Sequence, residues 1–323
     1  MRKIRLSRFE VLQTFALGFL LVLTGSVAQA EWTAYNDGVF DAANSATDPN
    51  GQAVHYKHAN ATDIGIGTVS ADSATYTQGT QYPTTAGTLL KISDGTSTGA
   101  TLTITQTGNG VNWQPQVSCL PTSASCGWHG GYDTAIGTDA YDTFNGIVDM
   151  TGVTYYANAV GWTVNYAFTG LDPAEKYTFA CSAARSKLNT EGAPGYPIRI
   201  AWVSISDADA STNSSTAGTT DVNADGLTIG YNTGDNHSLG YVVRWTDIEP
   251  GADGDFSVSV THDPAAQDLF KAYACSVLLL EEQAATVIPP FTPTVPSLSG
   301  WGYGALLLAV FGVGAFALRR RNA

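Results

Sequence analysis

Between Glu31 and Thr286 the apolar residues recur with a period of two rather than three or four. Asp255-Phe256-Ser257-Val258-Ser259-Val260 alternates apolar and polar positions, as a strand with one buried and one solvated face does. Short runs rich in Val, Ile, Thr, Tyr and Phe predict further strands at Thr101–Thr105, Tyr155–Tyr156, Thr163–Phe168, Lys176–Ala183, Ile198–Ile205, Gly240–Thr246, Phe256–Thr261 and Ala272–Leu280. The last of these becomes continuously apolar, as expected inside a sandwich. Turn chemistry separates the runs at Gly170-Leu171-Asp172-Pro173, Asn223-Ala224-Asp225-Gly226 and Pro250-Gly251-Ala252-Asp253-Gly254. No long helical pattern and no fixed repeat interrupts them, which argues against a solenoid or propeller. Trp162, Trp202 and Trp245 lie in strand patterns where burial is expected.

The pattern predicts one all-β sandwich domain over residues 31–286, about 255 residues long, with loops at Asn44–Tyr82 and Ser118–Asp142 as its decorations. Three segments carry a fold-level resemblance. They are Phe168-Thr169-Gly170-Leu171-Asp172-Pro173 leading into Tyr177-Thr178-Phe179, Gly240–Trp245 leading into Asp255–Val260, and the final Ala272–Leu280. In this order they resemble the second half of galactose-binding-like jelly-roll domains of bacterial extracellular proteins, over Asp139 to Glu282. The resemblance implies a jelly-roll β-sandwich and says nothing of a ligand.

The two ends have a different character. Arg2, Lys3, Arg5 and Arg8 precede an apolar core from Phe15 to Leu23, and Ala28-Gln29-Ala30 has the small-x-small form of a signal-peptidase site, so residues 1–30 read as a signal peptide. At the other end a Pro/Thr linker, 287–294, leads to Val295-Pro296-Ser297-Leu298 and then to an uncharged apolar run from Trp301 to Leu318. As a helix that run covers about 27 Å, enough to cross a bilayer. Arg319, Arg320 and Arg321 follow it and place the end in the cytoplasm by the positive-inside rule. Residues 295–323 resemble the IPTL-CTERM class of bacterial sorting signals, with Pro296, Leu298, Trp301 and Gly302 matching its motif and Val295 and Ser297 as conservative departures. The resemblance implies a Gram-negative host, an export and sorting machinery as partner, and an initial anchor in the inner membrane that a protease removes. The expected location is the cell surface or the extracellular space.

Charge narrows the partners. The chain carries 15 Lys and Arg against 28 Asp and Glu, a net of −13. Without the two termini, eight basic and twenty-seven acidic residues remain, a net of about −19. Such a surface repels phosphate backbones, which argues against a nucleic-acid partner. Four cysteines in an exported chain favour disulfides. Of the three pairings open, Cys119 with Cys126 closes a short loop, and Cys181 with Cys275 joins two segments of similar apolar context, FACSA and YACSV. Zinc spacing is lacking.

Candidate chemistry is of three kinds. Asp221-Val222-Asn223-Ala224-Asp225-Gly226 fits the opening of a calcium loop, with Asp221, Asn223 and Asp225 as the oxygen donors. Asn232 stands where an EF-hand needs a bidentate Glu, so only a sandwich-type structural calcium site remains, and a plain hairpin turn explains the same residues. Asp253 and Asp255 form a second acidic pair. Exposed aromatics beside polar groups would bind carbohydrate, and Trp128 and Tyr132 in a loop-like Trp-His-Gly-Gly-Tyr cluster, with Trp113, are the candidates; Tyr155 and Tyr156 are weaker ones. For catalysis there is no HExxH or P-loop, and His55-x-x-His58 sits among loop residues. The leading expectation is a non-enzymatic, surface-sorted sandwich acting in adhesion or in binding extracellular polysaccharide. The alternatives are a structural component of a biofilm or surface layer, and a divergent extracellular hydrolase.

Overall fold

The computed structural model describes residues 31–38, 57–65, 84–108, 114–116, 134–150, 153–155, 161–184, 198–234, 236–265 and 272–284. The strands are β1 (Trp32–Asp37), β2 (Thr85–Leu90), β3 (Ser97–Gly108), β4 (Gln114–Gln116), β5 (Val153–Tyr155), β6 (Trp162–Thr169), β7 (Lys176–Ser182), β8 (Ile200–Ser206), β9 (Ala210–Asn213), β10 (Thr220–Asp221), β11 (Thr228–Asn232), β12 (Val243–Glu249), β13 (Phe256–His262) and β14 (Val277–Gln283). Two short helices join them, α1 (Asp139–Phe144) and α2 (Asn236–Leu239). The leader, Cys119, Cys126, Trp113, Trp128, Tyr132, Tyr156, His55, the linker and the tail motif from Val295 to Gly302 lie outside the described residues.

The strands pair antiparallel in two main sheets. One has five strands in the order β1-β14-β7-β12-β9, and the other seven in the order β10-β11-β8-β13-β6-β3-β2; β4 and β5 form a small ladder of their own. From β6 onward the chain crosses from one main sheet to the other at each connection except the β10–β11 hairpin. The period of two makes this architecture work. In β6 the positions Trp162, Val164, Tyr166 and Phe168 are buried, and in β13 Phe256, Val258, Val260 and His262 are, with half-exposed residues between them. The inward sets of both sheets meet in one core. Its centre is aromatic: Phe168 stacks on Phe256 at 4.9 Å between ring centroids and meets Phe179 edge-on at 5.6 Å. Such pairs add about 1 kcal/mol each beyond the area they bury.

A second apolar cluster lies on the other face of the five-stranded sheet. Tyr35, Ala180, Val242, Val277 and Leu279 pack there against Ala140 and Phe144 of α1 and against Val148 and Met150 just after it. This sheet is therefore covered on both sides, which is why β14 begins Val-Leu-Leu-Leu with all four residues buried instead of alternating. The expected strand from Ala272 begins only at Val277, because Ala272–Ser276 are buried without forming a continuous ladder. Similarly the strand expected from Gly240 starts at Val243, since Gly240, at φ 58°, closes α2. α1 falls in the tail of the expected Ser118–Asp142 loop. Its six residues are too few for the 3.6-residue period to show, and Thr138 caps it by accepting from the Tyr141 amide at 3.4 Å.

Two covalent and ionic ties hold the layers. The expected Cys181–Cys275 disulfide is present, joining β7 to the segment before β14 across 94 residues, with the Cα atoms 5.7 Å apart. Arg244 on β12 clamps Asp139 of α1 with two hydrogen bonds, Nη2 to Oδ1 at 2.8 Å and Nη1 to Oδ2 at 3.2 Å. At the opposite end from the long connections the turns are tight. Gly254 has φ 71° and sits so close to the Leu171 carbonyl that a Cβ there would lie 2.4 Å from its oxygen, so only glycine fits beneath the Gly170–Pro173 turn.

Candidate functional site

The outward positions of the seven-stranded sheet form a regular polar face. β3 contributes Thr101, Thr103, Thr105 and Thr107; β6 contributes Thr163, Asn165 and Thr169; β13 contributes Ser257, Ser259 and Thr261; β8 contributes Ser204 and Ser206. Threonine suits these positions because its branched Cβ packs well on a pleated surface while its hydroxyl stays wet. The registers align the side chains in rows. Thr105 faces Asn165, which faces Ser259, which faces Ser204, which faces Thr228; one step along, Thr107 faces Thr163. Rows run across strands spaced about 4.8 Å apart and repeat about every 7 Å along them. On β3, β6, β13 and β8 none of these outward positions carries a charge, although the chain as a whole is at −13.

One aromatic side chain interrupts the hydroxyls. Trp202 of β8 lies on this outward face, half-exposed, where burial was expected from the strand pattern. The core takes the other parity, Ala201, Val203 and Ile205, because these register with Val258 and Val260 of β13 and with Ile229 of β11. Trp162 and Trp245, by contrast, are fully buried as expected. Trp202 pairs with Thr261 on one side and with Gly230 on the other. A Cβ at Gly230 would sit 3.4 Å from the indole Cδ1, 3.6 Å from Nε1 and 3.4 Å from Val222 Cγ2. The indole thus lies against the bare backbone of β11, and a side chain larger than alanine there would displace it. Around it, Thr261 Oγ1 donates to the Trp162 carbonyl at 2.7 Å, and the Ser204 and Thr228 hydroxyls are 3.0 Å apart. The result is an aromatic plate at the end of a bank of hydroxyls, uncharged and held by regular pairing.

The other sequence candidates are placed as follows. Asp221, Asn223 and Asp225 lie in the β10–β11 turn. Asp221 Oδ2 accepts from the Gly226 amide at 2.8 Å, and Asp225 Oδ1 from the Leu227 amide at 2.9 Å. Both carboxylates therefore bond the turn itself, as a hairpin requires. Among the described residues no three His, Cys, Asp or Glu side chains converge as a metal set. Asp255 is pushed up from the usual carboxylate range, by partial desolvation and then by the charges of Asp253 and Asp207. His58 accepts from the Asn60 amide at its Nδ1, 3.1 Å away, within its own turn.

Two further polar groupings escaped sequence reasoning. At the long-loop end of the core, Arg199 is 2 % exposed; its guanidinium donates to the Tyr273 hydroxyl and lies 5.3 Å from that ring's centroid. Its backbone is tied to Asn232 and Thr233, and Tyr231, His262 and Gln106 are buried at the same end. Burial pushes the Tyr231 phenol well above its ordinary value. An arginine on the core parity of an Ile-Arg-Ile-Ala-Trp-Val run was the only signal, and the two isoleucines flanking it masked it.

The second grouping is on the outer face of the five-stranded sheet. Burial works against the Asp139 charge, but hydrogen bonds from Arg244, Thr216 and Thr143, with the guanidinium's charge, hold its carboxyl below the usual range. Glu281 is pushed the other way, chiefly by burial, against the pull of Thr33 and Arg244. Opposed carboxyls of this kind serve acid–base chemistry elsewhere. Here both Asp139 oxygens are engaged, by Arg244, by Thr216 at 2.6 Å and by Thr143 at 3.1 Å, so the cluster locks α1 to the sheet.

The described residues thus define a two-sheet antiparallel β-sandwich with a helix-covered face and an open hydroxyl-lined one. No family model, curated protein or solved structure matches the chain significantly.

Proposed function

We propose that the protein is a non-enzymatic glycan-binding module, exported and sorted to the cell surface, and that it binds polysaccharide on the outer face of its seven-stranded sheet. The observation that carries this is Trp202, half-exposed over Gly230 and bordered by threonine and serine hydroxyls. An indole face stacks on the C–H face of a sugar ring, and neighbouring hydroxyls bond its rim, Thr261 as acceptor because its own proton goes to the Trp162 carbonyl. Trp202 joins Trp113, Trp128 and Tyr132 as a candidate contact, with Thr261 paired beside it. The finer fold in this reading is a galactose-binding-like jelly roll. The strand neighbours β6-β13-β8-β11 and β7-β12-β9, with connections that pass from sheet to sheet, support it. The signal peptide and the IPTL-CTERM-like tail supply the address.

Affinity electrophoresis through gels holding a panel of soluble polysaccharides tests the function, with native protein beside Trp202→Ala. Retardation of the native protein by at least one polysaccharide, lost in Trp202→Ala, is the expected result. Unretarded migration in every gel, with self-association instead, would make the protein a matrix component and end the glycan reading.

A further inference from the structure

The hydroxyl face has a direction, and it constrains the ligand. This inference rests on the glycan-binding reading above. Thr107 pairs with Thr163; Thr261 stands one step beyond the Val260–Val164 pair, beside Thr163; and Thr261 pairs with Trp202. These four side chains form a row perpendicular to the strands, ending at the indole. It crosses three strand-to-strand intervals, about 14 Å in all, long enough for a short run of sugar rings and too long for one. Along β8 itself the indole is followed by Ile200 on one side and Ser204 on the other, so the continuous run of hydroxyls leads across the strands.

The row also has a charge preference. Carboxylate or sulfate groups on a polymer are recognised by arginine or lysine. The outward positions of β3, β6, β13 and β8 offer neither, and the chain's net −13 repels polyanions at long range. We propose that the site takes a linear, uncharged polysaccharide whose chain lies across the strands, along Thr107, Thr163 and Thr261, with one ring stacked on Trp202. Thr107 and Thr163 present hydroxyl protons for the sugar's rim, and Thr261, whose proton goes to the Trp162 carbonyl, presents its oxygen as an acceptor. Because no ion pair contributes, binding is indifferent to salt.

Calorimetric titration of the native protein with cello-, xylo- and manno-oligosaccharides, from disaccharide to hexasaccharide, and with oligogalacturonates of the same lengths, tests this. The variants are Trp202→Ala and Thr163→Val, the latter keeping the side-chain shape while removing one hydroxyl in mid-row, with far-UV circular dichroism as the check on folding. For at least one neutral series, affinity rises with each added sugar to about the tetrasaccharide and then levels, unchanged by salt. Thr163→Val lowers affinity for the longer oligosaccharides about tenfold and leaves the disaccharide unaffected. Equal or tighter binding of oligogalacturonates, still lost in Trp202→Ala, would overturn the uncharged ligand and leave the glycan site standing. A disaccharide bound as tightly as a hexasaccharide would overturn the cross-strand row. Binding that survives Trp202→Ala would overturn both the row and the site, and binding of none of these sugars would overturn the inference.

Discussion

Trp202 and Gly230 face each other across the β8–β11 pair, and the glycine's missing side chain leaves room for the indole's Cδ1–Nε1 edge against the β11 backbone. A Gly230→Leu substitution fills that space. It is expected to lift the indole into water, with a red shift of the Trp202 share of the fluorescence, loss of glycan retardation and a lowered melting temperature, because Gly230 is buried beneath Trp202 and Val222. An unshifted spectrum compared with a Trp202→Phe control would show that Gly230 does not set the indole's pose.

Asp139 and Arg244 are less than a third exposed, at 26 % and 23 % of their side chains, and their paired hydrogen bonds join α1 to the sheet. Asp139→Asn is expected to cost about 2 kcal/mol in urea unfolding, the usual loss for hydrogen bonds to a charged group. Because the folded-state carboxyl lies below its unfolded value, this stability is fully present above about pH 4 and is lost as pH falls below it. The native protein and the variant should therefore converge in stability in acid.

Glu281 has the opposite dependence. Its folded-state value is raised, mainly by burial, so folding favours the protonated form and stability declines as pH rises above about 4. Glu281→Gln is expected to raise the urea midpoint at neutral pH and to lose that advantage in acid. A variant less stable than the native protein at neutral pH would mean that the charge helps the fold.

The Cys181–Cys275 bridge closes a 94-residue span. In the loop-entropy model its removal costs about 4 to 5 kcal/mol. The double variant Cys181→Ser with Cys275→Ser should melt well below the native protein, and reduction of the native protein under mild denaturant should lower its midpoint in the same way. Equal melting temperatures would assign the fold's stability to the core alone.

At the β10–β11 turn, one oxygen of Asp221 and one of Asp225 accept from the Gly226 and Leu227 amides and hold the hairpin without an ion. Asp221→Ala is expected to destabilise by about 1 kcal/mol, the loss of one such bond, with or without added calcium. A melting temperature that rises with calcium in the native protein and not in the variant would instead make this turn the calcium site.

Much of the β-sheet framework was legible from local pattern. Alternation at Thr163–Phe168 and Phe256–Thr261 marked β6 and β13 to within a residue or two, and Gly170–Pro173 and Asn223–Gly226 marked turns, because side-chain period and turn geometry are properties of neighbouring residues. β1, β2, β4, β9, β10 and β11 were not foreseen. Trp32–Asp37 mixes polar residues into an inward run, and Asn36 is kept buried only by its bonds to Thr62 and Ile64 from elsewhere in the chain. The aromatic platform was missed for a related reason. In Ile198-Arg199-Ile200-Ala201-Trp202-Val203 both parities carry apolar residues, and local pattern favours the bulkier one for the core.

The sequence by itself determined an all-β chain with its turns, since these follow from short-range chemistry, and it favoured the pairing of Cys181 with Cys275 among the three open to it through matched local context. Which face of β8 looks inward was decided only by tertiary structure. The registers with β13 and β11 commit Ala201, Val203 and Ile205 to the core, and a strand cannot bury both of its faces unless a second layer covers it. That layer, α1, covers the other sheet, so Trp202 and its hydroxyl neighbours are left on the surface.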